Sequence, residues 1–477
     1  MKLSRRKFLK QGTVAMGGFF IVPRHVLGRG FIAPSDKLNI AAIGAGGKGT
    51  SDIANAYNNG ANNVVAICDV DWSKAASSIT KFPNAVKYRD FREMFDKQKD
   101  IDAVTVSSPD HTHAVIAMAA MQLGKHVYVQ KPLTHNIKEA RTLTEAARNY
   151  KIVSQMGNQG ASGAGVKQMV EWFDKGLIGT VEKVHVWTNR PVWPQGIPSP
   201  TNKPTPPKDI AWDVWVGPAP MVDYHPSYHP FKWRGWWNFG TGALGDMACH
   251  MMDPPYRVLG LGYPMEVECS VGSIFLKDWT PEYLPDSCPP SSSVQLKFAP
   301  SKKNKKQVIM TWSDGGIRPF HPELIPANDI MGDETGDNGV LMIGSKGIMT
   351  CGVYGATPRI YKKNGEKIEM PKADPNAILL PEHGHQAAWT EACKAGFNSE
   401  KHKALTSSFD YSGPLTESIL MGNLAIRSYG LREARKAGGY DYPGRKKLIW
   451  DGTSMKITNF EPANQFVSRE YREGWKL

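Results

Sequence analysis

From residue 38 to about 160, short apolar runs alternate with stretches whose apolar residues recur every three or four positions. The runs at 38–43, 64–68, 103–106 and 126–129 read as strands, and 152–156 adds another. Helical spacing falls between them, at 49–57 and 113–123. Strands alternating with helices predict a doubly wound parallel sheet. The pattern changes after residue 160. Val166, Met169, Val170 and Phe173 share one face of a helix over 166–175, and 181–188 alternates as a strand. An irregular stretch over 190–237 follows, rich in proline and tryptophan. Strand-like runs return at 265–275, 294–298, 308–312, 339–343 and 347–351, and helices over 384–395 and 415–433 close the chain. The expected fold class is α/β, with a second α+β domain over 161–450 built on an open, mainly antiparallel sheet. Residues 451–477 read as a C-terminal tail.

The junction between the first strand and helix carries chemistry. Residues 38–43 run straight into Gly44-Ala45-Gly46-Gly47-Lys48-Gly49, a G-x-G-x-x-G. Gly44 permits the tight turn, Gly46 lets a pyrophosphate approach the backbone, and Gly49 lets helix pack on strand. Gly47 belongs to the same loop. Phosphates then meet exposed N–H groups at a helix N-terminus. The next strand ends at Asp69, 25 positions after Gly44. That is close to the spacing at which an acid meets the adenosine ribose. Asp69 repels a 2′-phosphate and no arginine follows it directly, so NAD is expected ahead of NADP. The domain over 36–160 is therefore read as a Rossmann domain.

Composition adds a location. Hydrophobic content of 41% and charged content of 22% are those of an ordinary globular chain, and 477 residues suffice for two cores. No apolar run reaches the roughly 18–20 residues that span a bilayer, so no stable membrane span is expected. Ser4-Arg5-Arg6-Lys7-Phe8-Leu9-Lys10, followed by a short apolar run over 12–23, matches a twin-arginine export signal over 1–28. The plainer alternative is a disordered basic N-terminus. The export reading predicts transit through the twin-arginine translocase and work in the periplasm or otherwise outside the cytoplasm. The net charge of +13 falls to +7 without this segment, which holds six basic residues and no acid. Lys302-Lys303-Asn304-Lys305-Lys306 reads as a solvated hairpin tip, so no nucleic-acid partner is expected. Six cysteines without a C-x-x-C pair argue against a metal site. A Cys269–Cys288 disulfide stays open.

Three further segments specify the family. They are Ser107-Ser108-Pro109-Asp110-His111-Thr112-His113, then Gly124-Lys125-His126-Val127-Tyr128-Val129-Gln130-Lys131-Pro132, then Gly242-Ala243-Leu244-Gly245-Asp246-Met247-Ala248-Cys249-His250. With them the chain resembles the Gfo/Idh/MocA oxidoreductases, the family of glucose-fructose oxidoreductase and inositol dehydrogenase. The resemblance places the catalytic lysine at Lys131 and the other two catalytic positions at Asp246 and His250. It implies cofactor contacts from Ser107, Pro109, His111, Lys131 and Asn158. Asp246 and His250 stand one helical turn apart and share a face. His250 is expected to take a hydroxyl proton with Asp246 orienting it, while Lys131 polarises the oxyanion. Many family members carry Glu where this chain has Gln130, which is expected to favour a proton-transferring Lys131. His111 and His113 are expected in the loop after the 103–106 strand.

Seven of the fourteen tryptophans fall between Trp187 and Trp237. Aromatic faces stack on the C–H faces of pyranoses, so Trp193, Tyr228 and Trp236 are candidate substrate contacts. Arg190 and Arg234 are candidates for hydroxyls or a carboxylate. The expected function is an exported NAD-dependent oxidoreductase acting on a sugar or glycoside, with NAD held and recycled in place. A small carbohydrate substrate and a homo-oligomer are expected. An NAD-dependent glycoside hydrolase working by transient oxidation is the alternative, and a non-catalytic NAD-binding sugar sensor is a third.

Overall fold

A computed structural model describes residues 36–370 and 381–477. The expected export signal lies outside the described residues. Six strands form one parallel sheet: β1 (Asn39–Ile43), β2 (Asn63–Cys68), β3 (Val86–Tyr88), β4 (Ala103–Val106), β5 (His126–Val129) and β6 (Ser154–Met156). Their spatial order is β3-β2-β1-β4-β5-β6, the doubly wound arrangement expected. Helices α1 (Lys48–Tyr57), α2 (Trp72–Lys81), α3 (Phe91–Lys97), α4 (Asp110–Gln122) and α5 (Ile137–Asn149) connect them. Strands this apolar on both faces need cover on both. Asn136 starts α5 through a capping box with Glu139. Helix α4 begins at Asp110, so His111 and His113 stand in its first turn and not in the preceding loop.

The second domain opens with α6 (Ala164–Asp174) and β7 (Val181–Trp187). The short helix α7 (Trp212–Val216) sits in the tryptophan-rich stretch, and α8 (Gly242–Met251) and α9 (Asp253–Leu259) follow it. Its sheet gathers β8 (Pro264–Val271), β11 (Ser292–Phe298), β12 (Val308–Ser313), β13 (Gly339–Gly344), β14 (Gly347–Cys351), β15 (Arg359–Lys362) and β16 (Lys367–Glu369) around β7. Among the described residues only its β7–β12 pair is parallel. The run expected over 265–275 stops at Val271, and β9 (Phe275–Lys277) pairs instead with β10 (Thr280–Pro281) as an exposed hairpin.

The domain boundaries interleave. Helix α10 (Pro381–Ala395) returns to the first domain, where Trp389, Ala392 and Cys393 share a core with Ile40, Ile53 and Tyr128. Trp389 is fully buried there, so its truncation to Ala costs about 3–5 kcal/mol. After α11 (Glu400–Lys403), helix α12 (Phe409–Tyr429) runs through Pro414 and packs on α5, Gly413 lying against Thr144. It starts before the proline and stops at Tyr429, both earlier than the spacing predicts. The expected tail is not loose. After β19 (Leu448–Asp451) joins the large sheet beside β8, Ile457, Ala463 and Val467 enter the main core. Among the described residues all six cysteines are free thiols, so Cys269 and Cys288 are not joined.

Candidate active site

The glycine loop is shaped as a cradle. At Gly44, φ is 75°, and a Cβ there would come within 2.7 Å of the Ser107–Ser108 backbone. A Cβ on Gly49 would meet the Gly44 carbonyl oxygen. At Gly46 it would strike the Lys74 main chain, so this glycine also lets α2 pack close. No side chain caps the start of α1 at Gly47. Uncapped N–H groups behind a tight glycine turn suit a pyrophosphate. Asp69 stands behind this loop. Its Oδ2 accepts from the N–H groups of Ala45 (2.8 Å) and Gly46 (3.2 Å), and Oδ1 from that of Asp71 (2.9 Å). The acid at the ribose position therefore also braces the loop. Burial raises its pKa against the pull of those three donors.

A buried carboxylate absent from the expected set ties the cradle together. Asp52 on α1 accepts from Ser107 Oγ (2.8 Å), Gln130 Nε2 (2.8 Å) and Gln386 Nε2 (3.0 Å), and pairs with Lys48 Nζ (3.0 Å). The Gln130 amide therefore serves Asp52. A glutamate at this position would set two carboxylates against each other.

Lys131 follows directly. Its Nζ donates to both the main-chain oxygen (2.8 Å) and Oδ1 (2.9 Å) of Asp246 on α8. Arg234 Nε lies 3.2 Å from the same Oδ1. Burial would raise the Asp246 pKa, but Lys131 and Arg234 together hold it far below the carboxylate range. His250 is one turn further along α8. Burial, then the Lys131 charge, hold it well below its ordinary value, so its imidazole is neutral. Its Nδ1 has no partner. The expected orientation of His250 by Asp246 takes another form: the carboxylate is bonded to Lys131 and Arg234 and reaches His250 through its charge.

Other expected contacts divide. Pro109 precedes α4 as its N-cap. His113 links the Pro132 and Ser108 carbonyls, each at 2.8 Å, and so fixes the Lys131-Pro132 segment against the loop after β4. His111 is fully buried between the carbonyls of Trp215 (2.9 Å) and Phe239 (3.2 Å), and burial drops its pKa to about 3. It is a neutral packing residue, not the cofactor ligand expected. Asn158 is 1% exposed just past β6, and both of its amide atoms lack a partner. Such an orphaned amide fits a polar ligand. Asp110 was not singled out by its position. It accepts from Thr241 Oγ1 at 2.6 Å, and burial pushes it up to about 7.

The substrate candidates separate into groups. Arg234 lies against the Trp233, Phe231 and Trp193 rings, at 4.3, 4.5 and 5.8 Å, beside Asp246. Tyr228 and Trp236 instead line a cavity of about 310 Å³ with Asn202, His225, Asn238 and Asp286. Arg190 donates to Asn189 Oδ1.

Residues 38–158 match the oxidoreductase-family model of the NAD-binding Rossmann fold, and 163–273 match the model of its C-terminal alpha/beta domain. Residues 38–273 are thus similar, domain by domain, to the Gfo/Idh/MocA oxidoreductases. Levoglucosan dehydrogenase of Pseudarthrobacter phenanthrenivorans is 25% identical over 45% of this chain and 46% of its own length. A glycosyl hydrolase family 109 protein of Shewanella pealeana is 27% identical over 33% of this chain and 40% of its own length. The chain thus matches less than half the length of either. A solved inositol dehydrogenase homolog from Azotobacter vinelandii, complexed with NADH and myo-inositol, superposes with a TM-score of 0.54. That likeness covers 80% of this chain and 93% of the other at 17% identity, and it shows the shared fold. The cradle at Gly44–Gly49 lies within the stretch that matches the NAD-binding Rossmann model, and the glycine contacts and the Asn158 orphan fit that cofactor.

Proposed function

We propose that this chain is an exported NAD-dependent oxidoreductase that acts on a CH–OH group of a sugar or glycoside and recycles a tightly held NAD. The contact of Lys131 Nζ with Asp246, at 2.8 and 2.9 Å, carries the reading, because it brings the Lys131 side chain onto α8, one turn from the neutral His250. Bound NAD supplies the hydride acceptor. His250 accepts the hydroxyl proton, and Lys131 stabilises the negative charge that builds on the carbinol oxygen. Asp246 keeps the Lys131 side chain in place, and Arg234 holds the same carboxylate oxygen.

Tight retention is supported by the tryptophan-rich stretch, which straps over the β2–α2 loop. The Ala211 N–H donates to the Val70 carbonyl (2.9 Å), and His229 Nε2 lies 2.8 Å from Asp71 Oδ2. That loop belongs to the ribose end of a Rossmann site. Ser4-Arg5-Arg6-Lys7-Phe8-Leu9-Lys10 supports export. Outside the cytoplasm a reduced cofactor must be reoxidised where it sits. A second reading, the glycosidase that oxidises transiently, rests on the likeness to the family 109 protein.

The deciding experiment supplies free sugars and nitrophenyl glycosides to protein purified without added cofactor. One equivalent of keto-sugar per bound cofactor, with the cofactor released as NADH on denaturation, is expected, and further turnover once a second sugar is supplied as the hydride acceptor. Released nitrophenol replaces the oxidoreductase with the hydrolase, and binding without turnover leaves a sensor.

A further inference from the structure

A tyrosine far along the chain reaches the same histidine. Tyr354 lies between β14 and β15, outside both matched family domains. Its ring centroid is 4.7 Å from that of His250, edge to face at 75°. The backbone there has φ 63°, left-handed for a side-chain-bearing residue. Such a conformation persists only where the surroundings impose it.

The surroundings here are glycines. A Cβ on Gly160 would strike the Tyr354 Cα at 2.8 Å, and one on Gly165 would meet the Gly355 carbonyl oxygen. At Gly355, where φ is 72°, a Cβ would come within 2.5 Å of Val166. The loop is therefore seated without clearance on the segment that follows Asn158. The seating delivers a ring whose one side meets His250 while 42% of the residue stays exposed. An exposed aromatic face touching a proton-accepting group is a platform for an apolar ligand surface.

We propose that Tyr354 is a substrate-binding residue of the reaction centre. Its ring stacks on the C–H face of a pyranose or cyclitol and shields His250 from water. The proposal rests on the oxidoreductase reading above. Tyr354→Gly suits the left-handed backbone, so it removes the ring without straining the chain. With the best sugar found for the wild type, this variant is expected to raise KM about tenfold and to retain NAD. Without the ring, water reaches His250, so the acid limb of the kcat/KM profile moves toward pH 6.5. Tyr354→Phe is expected to keep both the wild-type KM and the wild-type profile. An unchanged KM and acid limb in Tyr354→Gly overturns the proposal, as does a loss in Tyr354→Phe equal to that of Tyr354→Gly. A wild-type enzyme that oxidises no sugar instead removes the oxidoreductase reading.

Discussion

Lys131 and His250 share one expected phenotype at the proposed reaction centre. Lys131→Ala and His250→Ala should each slow turnover by about 100-fold or more. NAD content should stay near the wild-type level, because the cradle lies at Gly44–Gly49; turnover and released nucleotide measured on the same preparations check both. Gln130→Glu places a second carboxylate 2.8 Å from the Asp52 oxygen that the amide now meets. Its folded pKa is thereby raised, so the folded state holds a proton that the unfolded state releases above about pH 4.3. The variant should lose about 1–3 kcal/mol at neutral pH and recover on acidification, as read by denaturant melts across pH. His113 and Asp110 act in opposite directions. Burial lowers His113 from 6.5 to about 4, so the unfolded state takes up the proton first and stability falls as pH drops through that window. Burial raises Asp110 from 3.8 to about 7, so its contribution is lost as pH climbs through that range. Asp110→Asn should therefore steepen the acid loss of stability between pH 7 and 4 by close to one proton. Lys131, Asp246 and His250 were legible because their spacing is that of a family. Tyr354 was not, since a lone tyrosine after a strand carries no periodic or motif signal.

At the scale of elements, the parallel sheet was readable because buried strands are written as continuous apolar runs. Errors fell where a tertiary contact overrode a local rule. A proline normally opens a helix, yet α12 extends ahead of Pro414 because its first turns pack on α5. Apolar residues recur through the run over 265–275, between Glu266, Glu268 and Ser270, but β8 loses its partner β11 beyond Val271. The strap from the tryptophan-rich stretch was invisible in sequence, since nothing near Asp71 announces a histidine 158 positions away. His229→Ala tests it. The variant should release NAD about tenfold faster than the wild type while keeping its turnover number, measured by nucleotide loss on repeated gel filtration. Equal release rates would show that the strap does not hold the cofactor.

For the whole molecule, the sequence located two domains but not their interleaving, because helix α10 has the same apolar pattern whichever core it joins. Export is tested in the producing cell. Replacing Arg5 and Arg6 with Lys should leave folded, NAD-loaded protein inside the cytoplasm, as cell fractionation would report. The segment after residue 460 adds a constraint of another kind. Arg469 pairs with Glu139 at 2.8 Å and donates to the His111 carbonyl at 2.5 Å, and the Trp475 ring sits 6.0 Å from Phe91. These contacts close the first domain with residues the ribosome makes more than three hundred positions later. The cofactor domain can form its sheet early in synthesis, but it waits for the far end of the message before it is sealed. A premature stop codon would therefore expose its defect on the helices of the first domain, far from where the chain was cut.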